Sequence, residues 1–200
     1  MPKSGGTTIS NLFLSLFEKP YRILGTQIKY DNAVSCYENF KKDFNKIKKN
    51  NYDFISGHIQ CLDFFKDRTS ITTIRDPIER AISHYNMLIE RKLININTDI
   101  EECFLSGLIP RNPITQMFSC KNSYNEEVNF DNKKLAISNL KSVDLIISVK
   151  KIHSLINYLI STYNLPNILY QKLQMNKKNY FKKNKKNINK IKKYNNFDIE

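Results

Sequence analysis

Residues 70–85 read SITTIRDPIERAISHY, and this stretch decides the fold class. The opening run Ser70–Ile74 is rich in β-branched residues, which favour a strand. Proline then follows an aspartate, an order typical of the first turn of a helix, and the sequence predicts a helix from Ile78 to about Arg91. A strand, a polar corner and a helix in this order form the repeating unit of a parallel sheet.

The same pattern recurs in other parts of the chain. Residues 144–149 predict a strand, and the helix predicted after it spans 152–163 and ends before Pro166. Residues 53–58 predict a third strand, closed by a glycine. Apolar residues at a 3.6-residue spacing predict a helix over 7–17. Strands that alternate with helices predict an α/β fold.

The remaining segments give weaker signals. A second, exposed helix is predicted over 37–49, with its lysines facing outward. The stretch 95–132 is polar and contains two prolines, so we interpret it as an irregular insertion over the sheet edge. Residues 1–176 are predicted to form one domain, and 177–200 a Lys/Asn-rich segment that is helical or disordered.

Composition excludes several classes of protein. With 200 residues, 40% of them hydrophobic, the chain is long enough to bury a core, and its apolar runs are far shorter than the roughly 20 residues of a membrane-spanning helix. Its four cysteines are widely separated, without a CxxC pair, so we assign no metal site. Net charge is +13, but ten lysines and no acidic residue lie in 172–193, which leaves +3 for all other residues. We therefore expect no nucleic-acid partner, while the lysine-rich segment remains open to contact with another polyanion.

Residues 2–8, PKSGGTT, stand directly before the first predicted helix. Two glycines let the backbone fold around an anion, and the helix N-terminus directs free N–H groups towards it. The side chains that add charge and hydroxyl groups are Lys3, Ser4, Thr7 and Thr8. The segment is therefore a candidate phosphate loop, although the lysine precedes the glycines, unlike in the ATP-binding loop. An ordinary glycine turn with a helix cap is the alternative interpretation.

A second candidate anion site lies between Arg75 and Ser83, eight positions apart. A guanidinium at the end of a strand and a hydroxyl two helical turns later can converge on one phosphate. In the alternative interpretation the segment is only a structural corner, with Arg80 on the exposed face of the helix. Two phosphate sites at the carboxyl ends of parallel strands would suit a nucleotide with separated anionic groups.

Together the two motifs resemble those of carbohydrate sulfotransferases of the heparan 2-O/6-O and chondroitin-like group. Residues 2–8 are similar to that family's 5′-phosphosulfate loop and residues 75–85 to its 3′-phosphate motif, with weaker similarity elsewhere across 2–176. The resemblance implies a P-loop-like parallel sheet flanked by helices. It also implies 3′-phosphoadenosine 5′-phosphosulfate (PAPS) as donor, without a metal, and a carbohydrate hydroxyl as acceptor.

The resemblance also implies roles for individual residues. Lys3 contacts the 5′-phosphate and the bridging oxygen, and the loop is closed by Ser4, Gly5, Gly6, Thr7 and Thr8. Arg75 and Ser83 hold the 3′-phosphate, and His58 is the catalytic base, a task that suits an imidazole titrating near neutrality. His84 and Glu38 are the competing candidates for the base.

The family pattern places a hydrophobic strand before the phosphate loop, whereas this sequence begins at the loop. We therefore expect the first strand of the sheet to be missing and the chain to be truncated at its N-terminus. A complete chain would be cytoplasmic, and a chain that lacks an upstream segment would be anchored in the Golgi membrane. Two other functions remain open: a P-loop nucleotide kinase or phosphotransferase, and an inactive relative that binds polyanions through residues 172–193. Oligomeric state is left open by the sequence.

Overall fold

The computed structural model describes residues 6–22, 45, 47–57, 68–119, 127–164 and 178–199. Its strands are β1 (Pro20–Arg22), β2 (Phe54–Ser56), β3 (Ile71–Ile74) and β4 (Leu145–Ser148). Its helices are α1 (Gly6–Leu16), α2 (Pro77–Glu90), α3 (Ile100–Leu105), α4 (Pro113–Phe118), α5 (Phe130–Lys141), α6 (Ile152–Thr162), α7 (Lys185–Tyr194) and α8 (Asn196–Ile199), with a 3-10 turn at Val149–Lys151. The elements predicted at 7–17, 53–58, 70–91 and 144–163 are confirmed to within a few residues.

The strands form two parallel pairs, β1 with β2 and β3 with β4. In the second pair Ile74 lies opposite Ser148, so both strands end at the same edge. Ser70 and Asp144 fasten the opposite edge, because the backbone N–H and hydroxyl of Ser70 each donate to Asp144 Oδ2 at 2.7 Å. Parallel pairing with intervening helices is consistent with the predicted α/β class. Strand β1, only three residues long, was not predicted.

One hydrophobic cluster covers both strand pairs. Its buried members lie on one face of α1 and one face of α6; they are Ile9, Leu12, Phe13, Ile152, Leu155, Ile156 and Leu159. Residues of three strands pack against it, namely Phe54, Ile71, Leu145 and Ile147. Because burial of each such side chain contributes roughly 1.5–3 kcal/mol, α1 and α6 hold the two strand pairs together.

The stretch 95–132, predicted to be irregular, contains two complete helices and the start of a third, so that prediction is wrong. Helices α3 and α4 have only six residues each, too few for a periodic pattern to show in the sequence. Nevertheless Phe104 in α3 and Met117 in α4 are buried, and so is Ile109 between the two helices. Of the predicted helix over 37–49, the described residues 45 and 47–49 are helical, and Ile47 is buried.

The lysine-rich end of the chain packs against the rest of the molecule. Phe181, Ile191 and Tyr194 belong to a hydrophobic cluster that also contains residues of α2 and α3. Lys190 and Lys193 reach the acidic first turn of α3, where Lys193 Nζ lies 3.1 Å from Glu101 Oε1. The division of the chain at residue 176 stays a prediction, and residues on both sides of it share this cluster.

Candidate functional site

A cavity of about 280 Å³ lies at the carboxyl ends of β3 and β4. Its lining comes from the start of α2 and from the segment after β4; the residues are Arg75, Asp76, Glu79, Ser148, Val149 and Lys150. Because β3 and β4 are parallel and end in register, the segments that follow them meet at one edge of the sheet. Arg75 is the first residue after β3 and therefore stands at this edge.

Glu79 bridges two basic side chains of the cavity. Its Oε1 lies 3.0 Å from Lys150 Nζ, and its Oε2 lies 3.9 Å from Arg75 Nε. The side chain of Arg75 is 29% exposed and that of Lys150 is 72% exposed. Arg75 is thus the more buried of the two cations, and Lys150 reaches the carboxylate from the solvent side.

The second carboxylate of the cavity, that of Asp76, caps helix α2. Asp76 is the N-cap of α2, and its Oδ1 accepts a hydrogen bond from the Glu79 backbone N–H at 2.8 Å. Pro77 at the first helical position needs no such partner, since proline has no N–H to satisfy. The local sequence therefore sets the direction of α2 and points its N-terminal end at the cavity.

Ser83 and Arg75 occupy different environments. Ser83 lies within α2, where it is only 7% exposed, and it is not among the residues that line the cavity. Its predicted contact with a 3′-phosphate stays a prediction. Two residues that do line the cavity, Ser148 and Lys150, were missed by the sequence analysis. Their position just where the predicted strand 144–149 ends, opposite Arg75, was the available signal.

The candidate phosphate loop leads into α1. Gly6 is the first residue of this helix, and Thr7 and Thr8 belong to its first turn, as the sequence predicts for a loop that runs directly into a helix. The predicted site residues Lys3, Ser4 and Gly5 lie outside the described residues, and so does His58.

A hydrogen bond joins α1 to the end of β2. The hydroxyls of Ser10 and Ser56 lie 2.7 Å apart, and Ser10 is buried one turn after the start of α1. One helical turn rises about 5.4 Å, so the N-terminal turn of α1 lies close to the carboxyl end of β2. His58 follows Ser56 by two positions in the sequence.

Arg80 corrects one interpretation of the sequence. An exposed position on the helix was the alternative expected for it, yet its side chain is fully buried. Its Nη2 donates to the side-chain oxygen of Asn195 at 3.0 Å and to the carbonyl oxygen of Pro110 at 3.3 Å. Arg80 therefore ties the first turns of α2 to the C-terminal helices rather than facing solvent.

Other reactive or titratable side chains lie away from the cavity. Cys103 is fully buried, and burial raises the pKa of its thiol to about 11, which makes it a poor nucleophile at neutral pH. His84 is buried within α2, and His153 is exposed on α6.

Among the described residues there is no group of three or more His, Cys, Asp or Glu side chains placed to hold a metal ion. No helix in the described part of the chain has the length and apolar character needed to span a membrane.

Comparison with known proteins gives one family match over the entire chain. The family described as "Sulfotransferase family" matches residues 1–200. No solved structure matches the chain.

Individual relatives match a shorter part. Human heparan sulfate 2-O-sulfotransferase 1 is 32% identical over 97 residues, which cover 44% of this chain and 27% of that protein. The Gallus gallus protein of the same name is 32% identical over 125 residues, covering 54% and 35%, and the Xenopus laevis protein is 31% identical over 125 residues with the same coverage. These matches span about a quarter to a third of the length of the curated relatives.

Proposed function

The chain belongs to the sulfotransferase family, and on that premise we propose that it moves a sulfuryl group from PAPS to a hydroxyl of a carbohydrate acceptor. The observation that carries the proposal is Arg75 in a cavity at the carboxyl ends of two parallel strands. A guanidinium beside a helix N-terminus suits a phosphate group. The cavity, about 280 Å³ in volume, has room for a phosphate group beside Arg75.

The donor has two anionic ends, and two parts of the chain would hold them on a P-loop-like sheet. We assign the 3′-phosphate to Arg75 in the cavity, and from the sequence motif also to Ser83, which is buried further along α2 and does not line the cavity. The 5′-phosphosulfate is assigned to the candidate phosphate loop, residues 2–8, whose last three residues form the first turn of α1. The residues assigned to it are Lys3, Ser4, Gly5, Gly6, Thr7 and Thr8. The start of α1 at Gly6 supports this assignment, because the free backbone N–H groups of a helix N-terminus bind anions.

The proposed reaction needs a base and a cation. The acceptor hydroxyl attacks sulfur, its oxygen forms the new O–S bond, and His58 takes its proton. The bond between sulfur and the bridging oxygen breaks, and that oxygen keeps the electron pair as part of the leaving phosphate. Lys3 and the N-terminus of α1 stabilise the charge that develops there, so the proposal requires no metal. The hydrogen bond between Ser10 and Ser56 supports a site in which this loop and the segment with His58 are neighbours.

The acceptor is proposed from charge and from the relatives. The curated relatives are named as heparan sulfate sulfotransferases, and we propose an anionic glycan as the acceptor of this chain as well. The lysine-rich end supports this, because exposed lysines lie along one face of α7 and just before it: Lys182, Lys183, Lys185, Lys186, Lys192 and Lys193. A glycan polyanion on this face would give salt-sensitive binding.

The test measures nucleotide binding by thermal shift. We expect 3′-phosphoadenosine 5′-phosphate to raise the melting temperature, and Arg75→Ala or Lys3→Ala to abolish the rise. Arg91→Ala and Lys19→Ala are matched controls, since both residues are exposed and lie outside the proposed site. Incubation with isotope-labelled PAPS and a glycan panel, followed by mass analysis, then identifies the acceptor.

Each alternative function has its own result in this test. Equal stabilisation by ATP, with no preference for a 3′-phosphate, would indicate a nucleotide kinase instead. Glycan binding that survives Lys3→Ala but is lost with Lys182, Lys183, Lys185 and Lys186 replaced by alanine, in a protein that shows no nucleotide shift, would indicate an inactive polyanion-binding relative.

A further inference from the structure

We infer that Lys150 is a further binding residue for the donor's 3′-phosphate and that Glu79 is a built-in competitor of that phosphate, an inference that rests on the proposed function. Both residues line the cavity that contains Arg75. Neither residue is among the phosphate ligands that the proposed function takes from the two motifs, residues 2–8 and 75–85. Together they would set how strongly, and how selectively, the cavity binds an anion.

The geometry begins with one carboxylate between two cations. Glu79 lies 3.0 Å from the ammonium of Lys150 and 3.9 Å from the Arg75 guanidinium, through different oxygens. Lys150 follows β4 and Arg75 follows β3, so the two cations come from separate strand ends that the sheet brings together. A carboxylate and a phosphate present similar paired oxygens to such donors. Glu79 therefore occupies the kind of position that a phosphate oxygen would take.

The Glu79 carboxylate can move away from Arg75 and Lys150. Its side chain is 39% exposed, so a rotamer change can carry the carboxylate into water, where it is well solvated. The other carboxylate, Asp76, accepts a hydrogen bond from the α2 backbone and stays in place as the helix cap. With Glu79 turned away, Arg75 and Lys150 both face the incoming anion.

Competition of this kind favours dianions over weaker ligands. A ligand must replace the two ion pairs of Glu79, and a phosphate dianion does so better than a neutral ribose hydroxyl. Glu79 should thus weaken donor binding modestly while it raises the preference for a nucleotide with a 3′-phosphate. Lys150 should contribute only where that phosphate is present.

The experiment is calorimetric titration with two probes, 3′-phosphoadenosine 5′-phosphate and adenosine 5′-phosphate. The variants are Lys150→Ala, Glu79→Gln and the control Lys151→Ala, which removes an adjacent exposed lysine that does not line the cavity. We expect Lys150→Ala to weaken binding of the bisphosphate about three- to tenfold and Glu79→Gln to tighten it by a similar factor. Binding of adenosine 5′-phosphate should change less than twofold in both, and Lys151→Ala should match the unmodified protein.

The outcomes separate this inference from the proposed function. If Arg75→Ala removes the preference for the bisphosphate, the proposed function stands. The inference is then wrong if Lys150→Ala behaves like Lys151→Ala, or if Glu79→Gln leaves the affinity for the bisphosphate unchanged. If the unmodified protein binds both nucleotides equally and Arg75→Ala has no effect, the proposed function fails and the inference fails with it. Circular dichroism of each variant confirms the fold, which substitutions at these partly exposed positions should leave intact.

Discussion

Replacement of Arg80 by methionine should loosen the C-terminal helices from the rest of the protein. The guanidinium is fully buried, and its Nη2 donates to Asn195 Oδ1 at 3.0 Å and to the Pro110 carbonyl at 3.3 Å. Its charge also lowers the pKa of Asp198, against the larger effect of burial, which raises it. Methionine fills much of the volume but offers no donor, so both acceptors lose a partner.

The magnitude follows from those lost partners. A buried acceptor left without its donor costs about 1–3 kcal/mol, so the loss of both hydrogen bonds should destabilise the protein by about 2–6 kcal/mol. For a chain of 200 residues each kcal/mol shifts the melting temperature by roughly 2–4 °C, so we expect a decrease of roughly 4–24 °C. Arg91→Met is the matched control, because Arg91 is exposed at the end of the same helix, and it should change stability by less than about 0.5 kcal/mol.

The assay combines calorimetry with hydrogen exchange. Besides the lower melting temperature, backbone amides of α7 should exchange faster in Arg80→Met, because Asn195 follows that helix directly. A double-mutant cycle with Asn195→Ala should give a coupling energy of about 0.5–3 kcal/mol. If Arg80→Met is as stable as Arg91→Met, or if the two substitutions in the cycle are additive, Arg80 does not anchor the C-terminal helices.

Two further predictions concern titratable groups. Burial raises the pKa of Asp198 above its usual 3.8, so its contribution to stability is fully present below about pH 3.8 and is lost as pH rises through the higher pKa. In Asp198→Asn the free energy of unfolding, measured by urea denaturation, should therefore depend less on pH above about pH 4. A pH dependence equal to that of the unmodified protein would contradict this prediction. Because the pKa of Cys103 is raised to about 11, its thiol should resist iodoacetamide at pH 8 until the protein unfolds, as peptide mass mapping would show; rapid labelling of Cys103 in the folded protein would disprove this.

Local sequence signals were sufficient for the elements that form the sheet edge. Asp76 and Pro77 mark the start of α2, and the β-branched run before them predicts β3. These signals act within a few residues, so neighbouring side chains and backbone carry enough information to identify them. The position of Arg75 at the end of a parallel strand followed from the same local pattern.

Short helices, and contacts between residues far apart in the sequence, were not predicted. Helices α3 and α4 have only six residues each, too few for a periodic apolar face, and their stability comes from packing. Arg80 reads as a surface residue by type, because arginine is almost never fully buried without partners. Its partners Pro110 and Asn195 lie 30 and 115 positions away, beyond any local pattern.

The sequence by itself determined which segments become strands and helices near the cavity, and that a glycine stands where α1 begins. The tertiary structure alone decided that Glu79 stands between Arg75 and Lys150, and that the lysine-rich end packs beside α2 and α3. The physical reason is distance along the chain. Capping, β-branching and helical periodicity act over a few residues, whereas Glu79 and Lys150 meet only because β3 and β4 pair in register and end at one edge.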